Sequence, residues 1–164
     1  MRDLQQYAIL CMQKLDALHI KYADNISFVV NTRAKRKWGQ CKPTGDGYVI
    51  SINQVLLDER NAEHGLIETL LHELLHTVDG CVAHGNEWQA LVQRVNQTYG
   101  YNIKRTNNSN DKGVLEETLD REYLYQIQCT QCGALVQRMR TSKFVQHPER
   151  YYCARCGGKF VRIK

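Results

Sequence analysis

Apolar residues recur at helical spacing in three segments of the chain. In the first segment they stand three or four residues apart, at Leu4, Ala8, Cys11, Leu15, Leu18 and Tyr22. This period places apolar side chains on one face, so it predicts an amphipathic helix. A wider apolar stripe from about Asn61 to Val78 is typical of a helix at the centre of a core, and Gly80 is available to end it. A third helix is predicted from Asn86 or Glu87 to Tyr99, with Trp88, Leu91, Val92 and Val95 facing inward.

Between the first two helices, the pattern changes to that of strands. Residues 26–31 are rich in β-branched and aromatic side chains, residues 48–53 alternate, and KPTGDG (42–47) supplies turn chemistry before the second run. We therefore expect a small antiparallel sheet of two or three strands within residues 26–53. With the helices packed on this sheet, the predicted fold class is α+β.

A polar segment divides the chain. TNNSNDK (106–112) has no apolar residue and is dense in loop formers. This composition predicts three parts: a first domain over residues 1–105, a linker over 106–121, and a second domain over 122–164.

Four of the seven cysteines form two CxxC pairs near the C-terminus: Cys129, Cys132, Cys153 and Cys156. Twenty residues separate the pairs, and glycines follow each pair, as in zinc knuckles. The pattern predicts a β zinc ribbon with one structural zinc, because four thiolates fill a tetrahedral shell. Redox-active disulfides are the alternative, and a reducing compartment would disfavour them.

The central helix carries the sequence HELLH. His72 and His76 are four residues apart, so both imidazoles project from one helix face and can share one zinc ion. Glu73 stands between them and is the predicted general base toward a water that zinc activates. The alternative is an ordinary histidine pair, but two histidines and a glutamate are poorly placed on so apolar a helix unless something binds them.

A catalytic zinc needs a third protein ligand and an open position. His84 is the best candidate, because it follows His76 by eight residues, after a glycine that can end the helix. Glu87 follows His84 by three residues. It can orient a ligand from behind or cap a helix, and the sequence does not decide between these roles.

The segment HELLHTVDGCVAHGNEW resembles the active-site signature of the SprT-like zinc metallopeptidases, whose members include proteases of DNA–protein crosslinks. The signature is HExxH, a short variable insert, and then HGxEF or HGxEW. The resemblance implies a zincin-like domain in which His72, His76 and His84 bind zinc and Glu73 is the catalytic base. It covers most of residues 1 to about 105, and it implies DNA-bound or DNA-crosslinked proteins as substrates.

The upstream segment RKWGQCK (36–42) is similar to the Gly-x-Cys strand that precedes the metal helix in this family. In such folds, an edge strand aligns the substrate backbone by strand addition. Core packing is the alternative role for Trp38, Gly39 and Cys41.

The formal charge of +5 is divided unequally between the first 121 residues and the remaining 43. Residues 1–121 hold 14 Lys/Arg against 15 Asp/Glu, whereas residues 122–164 hold 8 against 2. Basic and aromatic residues alternate in the second part, which suits phosphate contacts and base stacking on single-stranded DNA. The predicted nucleic-acid contacts are Arg138, Arg140, Lys143, Arg150, Tyr151, Tyr152, Arg155 and Lys159. A solvated basic surface or a docking site for the first domain is the alternative.

No run approaches the roughly 18 apolar residues of a membrane helix, and polar residues stand where a secretory signal would be apolar. We therefore expect a cytoplasmic protein that has no membrane partner. The function predicted is a zinc metallopeptidase with two zinc ions per chain, one catalytic and one structural, acting on protein or peptide substrates. The rival hypothesis is a nucleic-acid-binding or regulatory zinc protein with little or no proteolytic activity, which would not need Glu73 as a base.

Overall fold

The computed structural model describes residues 1–35, 37–119 and 123–164. Arg36, in the segment that resembles the Gly-x-Cys strand, lies outside the described residues. So do residues 120–122, at the end of the predicted linker and the start of the predicted ribbon. The chain forms two compact units, Met1–Leu119 and Asp120–Lys164. The fold is mixed α and β in the first unit and a small β unit in the second, as predicted.

The three predicted helices are present as α1 (Leu4–Ala17), α2 (Glu63–Leu75) and α3 (Asn86–Tyr99). Asp3 begins α1, since its carboxylate accepts hydrogen bonds from the backbone N–H groups of Gln5 and Gln6. Gly100 ends α3 with a φ of 71°, the left-handed conformation that favours glycine. In the described part of the chain, no helix has the length and apolar character that a membrane crossing needs.

The sheet of the first unit contains β1 (Ile26–Asn31), β2 (Gly39–Pro43) and β3 (Tyr48–Asn53), in the order β1-β3-β2. The prediction of an antiparallel sheet is correct for β2 and β3 but wrong for β1, which pairs with β3 in parallel. The reason is the chain path. After β1 the chain passes to the far edge of the sheet, and the β2–β3 hairpin then returns β3 to the centre.

Helix α2 lies at the centre of the first core. Its leucines at positions 66, 70, 71, 74 and 75 are fully buried. The central strand β3 contributes Ile50 and Ile52, and α1 contributes Cys11 and Leu15. Because α2 is buried on almost every side, the polar residues that it carries are held in fixed positions.

Residues 106–119, predicted to be part of a linker, belong to the first unit. Lys112 and Val114 are buried, and the Lys112 carbonyl packs against Gly65 of α2 so closely that a Cβ at Gly65 would collide with it. Asn61 Oδ1 accepts hydrogen bonds from the Leu115 N–H and the Thr118 hydroxyl, at 2.9 and 3.0 Å. Polar groups of this segment form hydrogen bonds within the protein. Composition alone does not show whether polar residues form such bonds or face solvent.

The second unit is built on a sheet with the strand order β5-β4-β6. Its strands are β4 (Tyr125–Cys129), β5 (Leu135–Arg138) and β6 (Phe160–Arg162), and a one-turn helix α4 (Lys143–Gln146) lies between β5 and β6. Both neighbours of β4 are antiparallel to it. The buried cluster of this unit contains Ile127, Cys129, Val145, Cys153 and Phe160.

Candidate metal centres

The three predicted histidine ligands converge on one point. His72 lies on α2 and His76 is the C-cap residue of that helix, and their Nε2 atoms are 3.3 Å apart. The Nε2 atom of His84 lies 3.0 Å from that of His72 and 3.1 Å from that of His76. Three nitrogens bound to a tetrahedral zinc at about 2.05 Å stand about 3.3 Å apart. The observed triangle therefore fits one metal ion of that size.

Backbone carbonyl groups orient two of these rings. Nδ1 of His76 lies 2.8 Å from the Cys81 carbonyl oxygen, and Nδ1 of His72 lies 3.1 Å from the Lys104 carbonyl oxygen. A carbonyl oxygen only accepts, so Nδ1 carries the proton and the Nε2 lone pair faces the centre of the triangle. Burial, followed by the neighbouring His76 and His84, lowers the pKa of His72 to about 3, so its ring is neutral and able to bind a metal.

Trp88 supports the histidine cluster from below. It is 2% exposed, its ring stacks on His76 at 5.5 Å between centroids, and it meets His72 and His84 edge-on. Helix α3 thus supplies an apolar surface against which the three imidazole rings pack. Sequence analysis assigned Trp88 to the inward face of α3 but gave it no role at the site.

Glu73 lies beside the histidines and is almost completely buried. It is 7% exposed, and the backbone N–H of Cys41 on β2 donates to its carboxylate. Burial raises the pKa of Glu73 to about 7, against the opposing effects of that hydrogen bond and of the Lys112 and Lys37 ammonium groups. A carboxyl group with this pKa can hold and release a proton near neutral pH.

Gly39 explains how β2 comes so close to Glu73. A Cβ at position 39 would lie 2.7 Å from Glu73 Oε1 and 2.8 Å from the methyl group of Thr69. Any side chain at this position would displace the carboxylate. Cys41 and Trp38 are partly buried against the core, so the packing role considered for them applies alongside their position at the site.

A cleft of about 500 Å³ opens over this arrangement. Its walls include the three histidines, Glu73 and the β2 residues from Gly39 to Cys41. Within the described strands, β2 is at the edge of the sheet. Tyr48, Lys37 and Arg105 also line the cleft and supply polar groups near the metal position.

The four ribbon cysteines form a second donor set. The Sγ atoms of Cys129 and Cys156 are 3.4 Å apart, those of Cys132 and Cys153 are 3.7 Å apart, and the four lie within 4.8 Å of one another. Thiolates on a tetrahedral zinc stand about 3.8 Å apart, whereas a disulfide requires about 2.05 Å. This geometry favours a metal site over the disulfide alternative.

The two CxxC turns have the same backbone design. The N–H of Gly133 donates to the Cys129 carbonyl and the N–H of Gly157 donates to the Cys153 carbonyl, each with a positive φ at the glycine. The backbone N–H of Cys132 lowers the pKa of Cys129 to about 6, which favours the thiolate that binds zinc.

Comparison with known proteins decides the family. A profile described as the SprT-like family matches residues 8–107, which include the histidines and Glu73. The chain belongs to the SprT-like family. It is 26% identical to a protein SprT-like of Oceanobacillus iheyensis, over 98% of this chain and 97% of that protein. It is also 29% identical to a protein SprT of Pseudomonas putida, over 61% of this chain and 60% of that protein.

The match to the Pseudomonas relatives thus spans about 60% of their length. A protein SprT-like of Bacillus velezensis is 28% identical, over 74% of this chain and 78% of that protein. The family profile ends near residue 107, before the four cysteines, whereas the alignment with the Oceanobacillus SprT-like protein covers nearly the whole chain.

Glu87, for which two roles were considered, lies in the first turn of α3. Its carboxylate packs against Gly80, where a Cβ would collide with it. Gly80 has a φ of 79° and precedes Cys81, whose carbonyl orients His76. Glu87 therefore contacts the loop that positions a predicted ligand and also suits the positive end of the α3 dipole.

The eight predicted nucleic-acid contacts of this SprT-like chain are all exposed. Lys159 lies over the Tyr152 ring at 3.6 Å, and Arg138 lies 5.9 Å from the Phe144 centroid. Tyr125 was not among the predicted contacts. The guanidinium carbon of Arg162 lies 4.9 Å from the centroid of the Tyr125 ring, and Arg138 is the partner of Tyr125 on the neighbouring strand. The alternation within YQIQC and FVR is the signal that places these residues on one face. Phe160 lies on the same face and is a core residue, and Tyr125 is partly buried against the cluster that contains it.

Proposed function

We propose that this chain is a zinc metallopeptidase that hydrolyses peptide bonds in DNA-bound or DNA-crosslinked proteins, with the ribbon as a nucleic-acid tether. The convergence of three imidazole Nε2 atoms beside a buried glutamate carries the proposal. His72, His76 and His84 would hold the catalytic zinc, and the four cysteines would hold a structural one. Zinc bound by three histidines acts as a Lewis acid and makes water a nucleophile near pH 7.

Glu73 supplies the proton transfers. Its carboxylate accepts a proton from the attacking water and passes it to the nitrogen of the leaving amine. Burial raises the pKa of this carboxyl group, which helps it to hold the proton between the two steps. Gly39 and the N–H of Cys41 hold the carboxylate in place during these transfers.

The cleft beside β2 supports a peptide as the substrate. An extended chain can add to the edge of β2 by backbone hydrogen bonds, which places successive peptide groups past Glu73. The cleft is open along β2 from Gly39 to Pro43. Backbone recognition of this kind depends little on substrate sequence.

The DNA part of the proposal rests on family membership and on the charge of the second unit. Arginines at positions 138 and 162 flank Tyr125, and Tyr152 is exposed beneath Lys159. Aromatic faces bordered by cations suit bases that stack while phosphates pair with Lys and Arg. Holding the enzyme on DNA would bring DNA-bound proteins to the cleft.

The zinc-loaded chain should cleave a DNA-binding protein, and single-stranded DNA should accelerate the cleavage. The measurement is the rate of loss of intact substrate with and without DNA, with a chelator-treated sample as the blank. If DNA does not change the rate of cleavage, the ribbon does not act as a tether in this reaction. No cleavage under either condition would favour the rival hypothesis of a regulatory or DNA-binding protein.

Two glycine variants provide a matched comparison within this assay. Gly39→Ala should lower cleavage on the order of 10²-fold, because a Cβ at that position displaces Glu73. Gly45→Ala adds the same methyl group in the β2–β3 turn, where it would meet nothing within 4 Å. It should leave cleavage within a few-fold of wild type. Equal rates for the two variants would mean that the position of Glu73 does not limit the reaction.

The ribbon should bind single-stranded DNA with an affinity that falls steeply as salt rises. Each phosphate paired with Lys or Arg contributes about −0.7 to the log–log salt slope on single strands. Replacing Arg138 and Arg162 by glutamine should therefore reduce the slope by roughly 1.4. The control replaces Lys21 and Lys42 of the first unit by glutamine, which removes the same charge. An equal loss in both variants would indicate a general charge effect, and removal of residues 122–164 without any loss of binding would exclude the ribbon as the tether.

A further inference from the structure

A second cavity adjoins the cleft beside Glu73. It has a volume of about 280 Å³ and shares Gly39, His72 and Glu73 with the cleft. Typical small-molecule sites measure roughly 300–1,000 Å³, so this cavity lies near the lower end of that range and has room for one side chain. We call it the lysine-lined cavity, after Lys37 and Lys112 in its wall.

The lysine-lined cavity is electropositive. Three of the described residues that line it are cationic, namely Lys37, Arg105 and Lys112, and Glu73 is the one carboxylate among them. Lys37 and Arg105 are exposed at its rim and also line the cleft. An anion in the cavity would therefore be surrounded by positive charge within a few ångströms of the reacting position.

Lys112 is a buried cation with unused hydrogen-bond donors. The residue is 1% exposed, and no described group accepts a hydrogen bond from its Nζ. Its ion-pair partner Glu68 is 3.5 Å away, and the other carboxylate oxygen of Glu68 is engaged by the Asn102 N–H at 2.8 Å. An ammonium group has three donors, so this contact leaves donors unpaired, which is costly in a buried position unless a ligand accepts from them.

Asn107 supplies a second unpaired polar atom to the same cavity. Its Oδ1 is buried and has no hydrogen-bond partner among the described residues. An orphaned acceptor and orphaned donors on residues that line one cavity suit a ligand that has both an anionic group and an N–H. A peptide residue with a carboxylate side chain has both.

We propose that the lysine-lined cavity is a subsite for a carboxylate of the peptide substrate, at a position next to the scissile bond. This inference rests on the proposed peptidase function. Lys112 lies at the inner wall and Arg105 at the rim, and Asn107 accepts from the substrate backbone. The cavity shares Gly39, His72 and Glu73 with the cleft, so it adjoins the place where a peptide aligned along β2 would pass Glu73.

The test uses fluorogenic peptides that carry a single Glu, or Gln in its place, at successive positions around the cleavage site. For the wild-type chain, Glu should raise kcat/KM about tenfold or more at one position, as expected for a charged hydrogen bond in a buried site. Lys112→Met should bring the Glu/Gln ratio close to one. Lys21→Met removes the same charge from an exposed position that lines neither the cavity nor the cleft, and it should leave the ratio unchanged. If Lys112→Met does not fold, Arg105→Gln is decisive and should also lower the ratio.

A ratio near one for the wild-type chain, or a ratio that neither Lys112→Met nor Arg105→Gln changes, would overturn the subsite. Peptides with free and amidated C-termini separate a terminal carboxylate from a side-chain carboxylate as the bound group, and a preference for either supports the cavity. A weaker single-stranded DNA affinity of Lys112→Met, with an unchanged Glu/Gln ratio, would overturn the proposal in favour of a DNA phosphate.

Binding measurements separate this inference from the proposed function. Fluorescence anisotropy with the Glu73→Gln chain should show tighter binding of the Glu peptide than of the Gln peptide, in the absence of turnover. If the wild-type chain cleaves no peptide while this difference in binding persists, the subsite stands and the peptidase function falls. If the wild-type chain cleaves peptides but shows no preference for Glu, the peptidase function stands and the subsite falls.

Discussion

Replacing Glu73 by glutamine should leave the fold and the zinc content intact and should lower peptide hydrolysis by at least the order of 10²-fold. Glutamine has nearly the same shape, so it can still fit against Gly39. It cannot accept a proton from water, and general acid–base catalysis contributes roughly 10²–10⁴-fold. The measurements are kcat/KM on a peptide, zinc analysis and the thermal midpoint of unfolding.

Glu63→Gln is the control, because it makes the same change at the exposed start of the same helix. It should leave hydrolysis within a few-fold of wild type. If Glu73→Gln also stays within a few-fold, either another group acts as the base or a contaminating protease is responsible for the activity.

Replacing Cys153 by serine should unfold the ribbon and reduce the zinc content from two ions per chain to one. The buried cluster of the ribbon has five described members, and two of them, Cys129 and Cys153, are predicted zinc ligands. Without metal, too little apolar surface remains to hold such a small unit together. Structural zinc contributes roughly 10–16 kcal/mol of apparent binding energy in comparable small domains, so the effect should be all-or-none.

Zinc analysis and amide NMR spectra provide the measurement. Signals of residues 123–164 should collapse to the narrow dispersion of an unfolded chain, while those of the first unit persist. Cys11→Ala is the control, since it removes a free cysteine of the first core and should keep both metals. A Cys153→Ser chain that retains two zinc ions and a dispersed ribbon spectrum would contradict the four-cysteine site.

Sequence spacing located the two groups of candidate metal ligands. His72 and His76 share a helix face because the helical period requires it, and the paired CxxC spacing brought four sulfurs together. His84 lies outside that helix, and it was selected by its spacing from His76, by the intervening Gly80 and by the family signature rather than by helical periodicity. These cases share a property: the ligands are close in sequence to a turn or a helix that determines their geometry.

Features that depend on distant packing were less accessible. The order β1-β3-β2 depends on the route of the chain between strands. The alternation within each strand gives no information about that route. Residues 106–112 have the composition of a linker, yet Lys112 is buried against α2 across Gly65. Trp88 was identified as a core residue, but its contact with three imidazole rings depends on how α3 packs on α2.

The rings of His72 and His76 are oriented by main-chain oxygens of Lys104 and Cys81 rather than by acidic side chains. Orientation by main-chain oxygens determines which substitutions around the site are tolerated during evolution. Every residue type keeps a main-chain carbonyl, so a substitution at position 81 or 104 leaves the orienting acceptor in place. The exposed Lys104 side chain can therefore vary, whereas Cys81 is constrained by its packing in the core. Selection should instead act on the loop path itself, at Gly80 and at the Glu87 carboxylate that packs against it. An alignment of relatives searched for acidic partners of the histidines would therefore overlook the groups that hold them.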